Sequence, residues 1–406
     1  MKRCFICDFE IEPFISFGKM PIANGFLKAE EFDDEYFYEL AVAWCPRCNM
    51  VQLLEQPAKE RMFNDKYAFF SGTSNAMGLH FQQFADSVAN GYLTPADPFV
   101  VEIGSNDGIM LQHFAQRGIR HLGVEPSSNV ADVAVTKGIN TVCRFFDEQL
   151  ALQIVSEHGQ ADAFLGANVM CHIPYLHSVL EGIDLLLKPD GIVMFEDPYM
   201  ANVIENVSYD QFYDEHVFLF SLLSIGYLFE QHGMEVIDLE PQWTHGGSMR
   251  YVIARKGRRA VSSIVEKHRQ HERKVGLDGP DVYRIFRKSC ERSRNLLVSL
   301  LRTSRKNGER IVGYAATSKS TTIINYCGID SELIEYISDT TPIKQDKFSP
   351  GAHIPIRSHD QFSRDYPDYA LLFAYNHMKE IMEKESDFMR SGGKWIVYVP
   401  EVKVLE

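Results

Sequence analysis

Val100-Val101-Glu102-Ile103-Gly104-Ser105-Asn106-Asp107-Gly108 reads as a buried strand that ends in a turn of small residues and opens a helix. Ile109, Met110, Leu111 and Phe114 supply the apolar side of that helix. Gly104 and Gly108 permit a sharp turn and let a ligand come close to the backbone. A nucleotide-like ligand would sit at the carboxyl end of such a strand, where an open sheet parts. Glu125 follows the next strand, 21 residues after Gly104, and a carboxylate there can accept both ribose hydroxyl protons. The turn is not a Gly-x-Gly-x-x-Gly fingerprint, because Asn106 stands where a dinucleotide fold prefers glycine. Glu102 before the turn suits S-adenosylmethionine better, since its carboxylate can orient the turn or meet the methionine ammonium. A nicotinamide or flavin dinucleotide, or no cofactor at all, are the competing readings. Asn168, closing the fourth strand, is expected beside the methionine end, and Phe146 and Asp147 are expected to border the adenine.

Outward from this stretch, apolar runs at 99–103, 121–124, 162–167 and 191–196 alternate with helical patterns, which predicts a parallel sheet covered by helices. Residues 71–255 are expected to form this central Rossmann-like sheet, which with S-adenosylmethionine as its ligand would be of the class I methyltransferase type. Before it, residues 1–70 hold two Cys-x-x-Cys knuckles, Cys4-Phe-Ile-Cys7 and Cys45-Pro-Arg-Cys48. Four thiolates from two tight turns make a tetrahedral zinc site with no open position, so the metal is expected to hold a small module together and do no chemistry. Ordinary free thiols or two disulfides are the alternatives. After the sheet, residues 256–310 are charge-rich and read as long, exposed connecting helices. A smaller Rossmann-like α/β unit completes residues 256–406, with strands expected at 311–315, 334–337, 370–374 and 394–399. In it, Thr317-Ser318-Lys319-Ser320 forms a loop before a helix at 321–326.

The chain has 406 residues, 45% hydrophobic and 24% charged, with a net charge of −14, which is ordinary globular composition for two or three domains. An acidic balance without a basic cluster argues against nucleic acid, and no stretch reaches the ~20 apolar residues of a membrane span. The start, Met1-Lys2-Arg3-Cys4, lacks the apolar run of a secretory signal, and Cys143, Cys171, Cys290 and Cys327 are scattered. A cytoplasmic protein with reduced thiols is the expectation.

Two histidine-bearing segments fall where a substrate would meet the methyl group. One is Asn168-Val169-Met170-Cys171-His172-Ile173-Pro174, and the other is Tyr209-Asp210-Gln211-Phe212-Tyr213-Asp214-Glu215-His216. Tyr213 and His216, three apart, would share a helix face, with Glu215 pointing elsewhere. A near-neutral imidazole suits removal of a proton beside a carbonyl, and a phenol can donate to the developing enolate oxygen. A surface helix with a satisfied histidine is the alternative. His245-Gly246-Gly247-Ser248 is a further candidate, or a hairpin turn.

Taken together, these residues resemble the nucleotide-sugar C-methyltransferases along essentially the whole chain. Cys4, Cys7, Cys45 and Cys48 look like that family's zinc module, 101–108 like its cofactor motif, and Tyr213-x-Glu215-His216 like its catalytic segment. The strings 313–320, 325–329 and 349–355 resemble its last domain. The resemblance implies methylation of carbon 3 of a 4-keto-deoxysugar carried on a nucleoside diphosphate, usually thymidine diphosphate, by a monomeric cytoplasmic enzyme. It implies His216 as the leading base, Tyr213 and His172 near the sugar, and Glu215 in support. Tyr67, Ser71, Ser74 and His80 resemble positions near the substrate, and Lys319, or Lys344 and Lys347, would meet the diphosphate. Two departures stand out: Asp8 replaces a frequent glycine after the first knuckle, and 217–221 replaces a tyrosine-containing run after the histidine. The competing functions are methylation of oxygen or nitrogen on another small molecule, and a non-catalytic protein that binds S-adenosylmethionine or zinc.

Overall fold

The computed structural model describes residues 2–62, 75–93 and 96–406. In the N-terminal module, strands β1 (Pro13–Pro21), β2 (Phe37–Trp44) and β3 (Val51–Leu53) form an antiparallel meander. Ile15 and Phe17 on β1, and Tyr38, Leu40 and Val42 on β2, alternate inward as the two-residue period of a strand requires. The two cysteine turns close alike: the Asp8 N–H donates to the Cys4 carbonyl at 3.0 Å and the Asn49 N–H to the Cys45 carbonyl at 2.8 Å. Asp8 and Asn49 take φ of +56° and +58°, the left-handed region that short polar side chains tolerate. Asp8 therefore holds a conformation that glycine would also supply. A fourth strand of this sheet, Phe218–Leu219, comes from the central unit and pairs antiparallel with β3.

Helix α1 (Asn75–Gly91) leads into the central sheet. Its strands are β4 (Phe99–Ile103), β5 (Arg120–Val124), β6 (Thr141–Val142), β7 (Ala161–Ala167), β8 (Leu187–Pro198), β9 (Met234–Gln242) and β10 (Ser248–Arg255). They lie in the order β9-β10-β8-β7-β4-β5-β6, with β10 antiparallel to both its neighbours. All five residues of β4 are buried, as expected of a continuous apolar run covered on both faces. The chain passes from β4 to β5 on one side and later returns to β7 on the other, so the sheet parts at the carboxyl ends of β4 and β7.

Helices α2 (Ser263–Val275) and α3 (Pro280–Lys306) follow. They are less exposed than their charge suggests. Tyr283, Phe286, Cys290, Leu297 and Leu301 are buried along one face of α3 at helical spacing. Tyr283 packs on Phe14 and Trp44 of the N-terminal module, with ring centroids 5.1 and 5.3 Å away. On α2, the buried Glu272 carboxylate accepts the Tyr199 hydroxyl and the N–H groups of Leu222 and Leu223.

The C-terminal unit contains β11 (Ile311–Tyr314), helix α4 (Ser318–Cys327), β12 (Ile337–Asp339), β13 (Ile356–Ser358), β14 (Tyr369–Leu372), β15 (Lys394–Val397) and β16 (Lys403–Leu405). The order is β13-β12-β11-β14-β15-β16, parallel except for β16. The second strand starts three residues later than the sequence suggests. Ile334 is still in a turn, its N–H bonded to the Asp330 carbonyl at 3.0 Å, although its side chain is buried. No helix among the described residues is long and apolar enough to cross a membrane.

Candidate active site

The openings of the two parallel sheets face one cavity of about 640 Å³. The central sheet contributes Gly104, Asn106, Glu125 and Asn168 to its wall, and the C-terminal sheet contributes Thr317, Lys319 and Asp339. Gly104 leaves β4 with φ of +60°, and a Cβ there would lie 2.7 Å from a Val169 methyl, so glycine is needed on both counts. The Glu125 carboxylate closes the turn: one oxygen accepts the Asn106 N–H at 3.0 Å and the other the Ser127 N–H at 2.8 Å. Burial raises its carboxyl above the ordinary range, against those two hydrogen bonds. Asn168 is left-handed, its N–H bonded to the Glu196 carbonyl at 2.7 Å, and its buried Oδ1 has no hydrogen-bond partner. An acidic ribose acceptor and an orphaned oxygen that can receive an ammonium suit the adenosine and methionine ends of S-adenosylmethionine.

The other expected cofactor residues divide. Phe146 lines the cavity with Arg144, Phe145 and Pro126, which the sequence reading did not single out. Glu102 is buried in β4 away from the cavity, its carboxyl pushed well above the usual range by burial, then by Glu125 and Asp107. Gly108 also lies off the cavity and packs against Ile139. Asp147 caps a helix, accepting the Leu150 N–H at 2.8 Å, and does not line the cavity.

Tyr213, Glu215 and His216 come together on a turn, not on a helix. The His216 N–H donates to the Tyr213 carbonyl at 3.0 Å, which brings the two side chains face to face. The His216 Nδ1 lies 2.7 Å from the Gln211 carbonyl oxygen, which can only accept, so Nδ1 carries the proton. The Nε2 lone pair then receives the Tyr213 hydroxyl at 2.6 Å. Burial, with His172 and His245 nearby, pushes the His216 imidazole well below its ordinary value. Burial pushes His172 down to about 4. Both rings are therefore neutral at pH 7. The His172 ring is 5.3 Å from the His216 ring, centroid to centroid, and the His245 ring 6.2 Å away. His245 has φ of +55°, which turns it toward the cavity between Thr244 and the two glycines. Glu215 also lines the cavity, where the sequence reading pointed it elsewhere, and one of its oxygens accepts the Asn24 amide at 2.5 Å.

On the C-terminal side, Lys319 opens α4 and donates to the His245 carbonyl at 3.2 Å, over the Tyr375 ring. Burial lowers its ammonium pKa against the pull of Asp210. Asp210 accepts the Tyr398 hydroxyl at 2.8 Å and the Tyr375 hydroxyl at 3.2 Å, tying the central unit to the C-terminal one. Lys344 reaches the cavity and donates to the Ala316 carbonyl at 2.7 Å. Lys347 does not line it. His80 is turned away: its ring bonds the buried Glu196 at 2.5 Å, and Arg250 holds the other Glu196 oxygen. Tyr67, Ser71 and Ser74 lie outside the described residues. Residues 217–221 are buried, with Phe218–Leu219 paired to β3 of the N-terminal module, and the run does not line the cavity. Asp339, at the end of β12, was not singled out in the sequence, where Ser338 separates it from the apolar run. Asn24 carried no cue, because its partner is 191 residues away.

The four N-terminal thiols, none of which lines the cavity, converge. Cys4 and Cys48 sulfurs are 3.5 Å apart, Cys7 and Cys45 sulfurs 3.4 Å apart, and all four lie within 4.8 Å of one another. Four convergent thiols are a zinc donor set with no open position.

Residues 4–63 match the model of a zinc binding domain, residues 79–239 that of a methyltransferase domain, and residues 243–400 that of a C-methyltransferase C-terminal domain. The C-methyltransferase NovU of Streptomyces niveus is 35% identical over 394 residues, covering 96% of this chain and 93% of its own. Two solved structures are more distant. An S-adenosylmethionine-dependent methyltransferase from Clostridium acetobutylicum is 11% identical, covers 46% of this chain and 94% of its own, and has a TM-score of 0.35. Magnesium protoporphyrin IX methyltransferase from Synechocystis is 14% identical, covers 45% of this chain and 88% of its own, and has a TM-score of 0.34. At such scores these two add nothing to the assignment.

Proposed function

Because the chain belongs to the C-methyltransferase family, and so is an S-adenosylmethionine-dependent enzyme with a zinc-binding N-terminal module, we propose that it methylates carbon 3 of a nucleoside-diphosphate 4-keto-deoxysugar, with thymidine diphosphate as the carrier. The observation that carries this reading is the buried Tyr213–His216 pair, whose hydrogen bonds leave a neutral imidazole with its lone pair on Nε2. A proton on a carbon next to a ketone is acidic enough for such a base. His216 takes that proton on Nε2, the electron pair moves into the carbonyl, and the Tyr213 hydroxyl turns to donate to the resulting oxygen. Glu215 and His172 hold the sugar ring against this pair. S-adenosylmethionine supplies the methyl group, which the carbon takes as S-adenosylhomocysteine is released. Glu125 holds the cofactor ribose and Asn168 faces its methionine end. On the opposite wall Lys319 meets the diphosphate, and Asp339 occupies the place from which a carboxylate grips a ribose. Enclosure by three units keeps water off the activated carbon and aligns it with the methyl group.

The test is solvent deuterium exchange at carbon 3 of a thymidine-diphosphate 4-keto-6-deoxyhexose, with S-adenosylhomocysteine bound, followed by mass and NMR. Exchange by the wild type that disappears in His216→Ala is expected. Equal exchange in both moves the base to Tyr213 or His172, and no exchange in either removes the ketosugar from consideration.

A further inference from the structure

The zinc-binding module touches the reacting centre directly. The backbone of Ala23 is held from two sides: its N–H donates to the buried Asp214 carboxylate at 2.9 Å, and its carbonyl accepts the Thr321 hydroxyl of α4 at 2.9 Å. The next residue, Asn24, therefore projects from a fixed point where all three units meet. It lines the cavity, and its amide donates to Glu215 Oε1 at 2.5 Å. The same module grips the chain just past His216. The Leu53 N–H donates to the Val217 carbonyl at 2.8 Å, and Phe218–Leu219 pairs with β3. Residues 214–219 are thus suspended from the module on both sides of the histidine.

From this arrangement we infer that Asn24 is a positioning residue of the active site, acting through Glu215, and that the zinc-binding module is part of the catalytic apparatus as well as of the fold. The inference rests on the proposed role of Glu215 and His216 in ketosugar methylation. An asparagine suits the task because its amide donates a hydrogen bond without adding a charge. Glu215 already lies beside the Asp214 carboxylate, which burial and Glu215 together push up to about 8. A third acid at position 24 would add repulsion, and an apolar residue would remove the hydrogen bond that Asn24 gives the Glu215 oxygen.

The test compares Asn24→Ala, Asn24→Asp and Glu215→Gln in the full zinc-loaded chain. Carbon-3 deuterium exchange and methylation of a thymidine-diphosphate 4-keto-6-deoxyhexose are the readouts, with S-adenosylhomocysteine affinity and zinc content measured alongside. Asn24→Ala is expected to lower kcat by about tenfold to a hundredfold, as for a reacting group displaced by about 1 Å. KM for the ketosugar, S-adenosylhomocysteine affinity and zinc content are expected to stay within about twofold of wild type, as befits lost alignment without lost binding. Asn24→Asp keeps the volume and is expected to fall at least as far. Adding Asn24→Ala to Glu215→Gln is expected to cost nothing further, because the pair acts as one unit. Three results would overturn the inference: wild-type kcat in Asn24→Ala, independent losses in the double variant, or loss of zinc and S-adenosylhomocysteine binding together with activity. His216→Ala, run in parallel, separates the two levels. If it retains exchange, the functional reading fails; if it loses exchange while Asn24→Ala is normal, only the role of Asn24 fails.

Discussion

Glu125 and Asp339 occupy the same place in two different sheets. Each stands at the end of the second strand of its unit. Glu125 accepts an N–H from the loop after the first strand (Asn106, 3.0 Å) and one from two residues beyond itself (Ser127, 2.8 Å). Asp339 does likewise with Ala316 and Thr341, both at 2.7 Å. The turns that leave the first strands also match. The Gly104 N–H donates to the Val124 carbonyl and the Ala315 N–H to the Ser338 carbonyl, both at 2.8 Å, with φ of +60° and +72°. The doubly wound topology fixes the turn and the acid, and what differs is the surrounding wall. Pro126, Arg144, Phe145 and Phe146 of the central unit line the cavity along with the first carboxylate, and Thr317, Lys319 and Lys344 of the C-terminal unit along with the second. An aromatic slot suits an adenine ring, and two lysines beside a helix start suit a diphosphate.

Gly104→Ala breaks the comparison hardest. The alanine would have to hold a left-handed φ, at about 1–2 kcal/mol, and press its methyl onto Val169 in a packed site, at about 1–3 kcal/mol more. S-adenosylhomocysteine affinity is expected to fall at least about thirtyfold by titration calorimetry, while thymidine diphosphate binding is unaffected. Unchanged S-adenosylhomocysteine affinity would mean that the turn does not shape the cofactor site.

Exchanging the acids sharpens it. Glu125→Gln is expected to weaken S-adenosylhomocysteine by about tenfold to a hundredfold and leave thymidine diphosphate alone, and Asp339→Asn to do the reverse. Hydrogen bonds to charged groups are worth about 1.5–3 kcal/mol, which sets that range. If both substitutions weaken the same ligand, the two openings do not serve separate ligands.

The two openings were unequally legible in the sequence. The first announces itself through a glycine at the turn and the correctly spaced Glu125. The second hides behind Ala315, and its acid follows a strand that starts three residues after the apolar run begins, because Ile334 packs into the core from a turn. The zinc ligands are local in sequence, so their spacing was sufficient. The apolar stripe of α3 was masked by its many charges. Asn24 reaches its partner Glu215 only once separate units have packed, and no local period records that. His80 and Glu102 fail for the opposite reason: local placement brings them near the site, but burial pairs His80 with Glu196 and keeps Glu102 beneath the turn.

Between the two openings lie His172 and His216, and their burial predicts a pH profile. A group whose value is pushed down holds its neutral form to lower pH. Carbon-3 exchange is therefore expected to stay level as the pH falls through 6.5, the ordinary histidine value, and to decline only well below it. An acid limb centred at or above 6.5 would mean that the base is a solvated histidine and that the cavity does not exclude water as the two facing sheets suggest.

The smallest effect tests the shared turn itself. Ala315 holds a φ of +72° that alanine pays for and glycine does not. Ala315→Gly removes that strain, about 1–2 kcal/mol, but increases the freedom of the unfolded chain by about 0.4–1 kcal/mol and strips a partly buried methyl from the core around Tyr314 and Phe362. The net stabilisation is expected to be below about 1 kcal/mol, read as a rise of about 1–2 °C in the thermal midpoint with both ligand affinities unchanged. A drop in the midpoint would show that the methyl contact outweighs the strain. The alanine would then be retained for packing, and the two turns would share their geometry for different reasons.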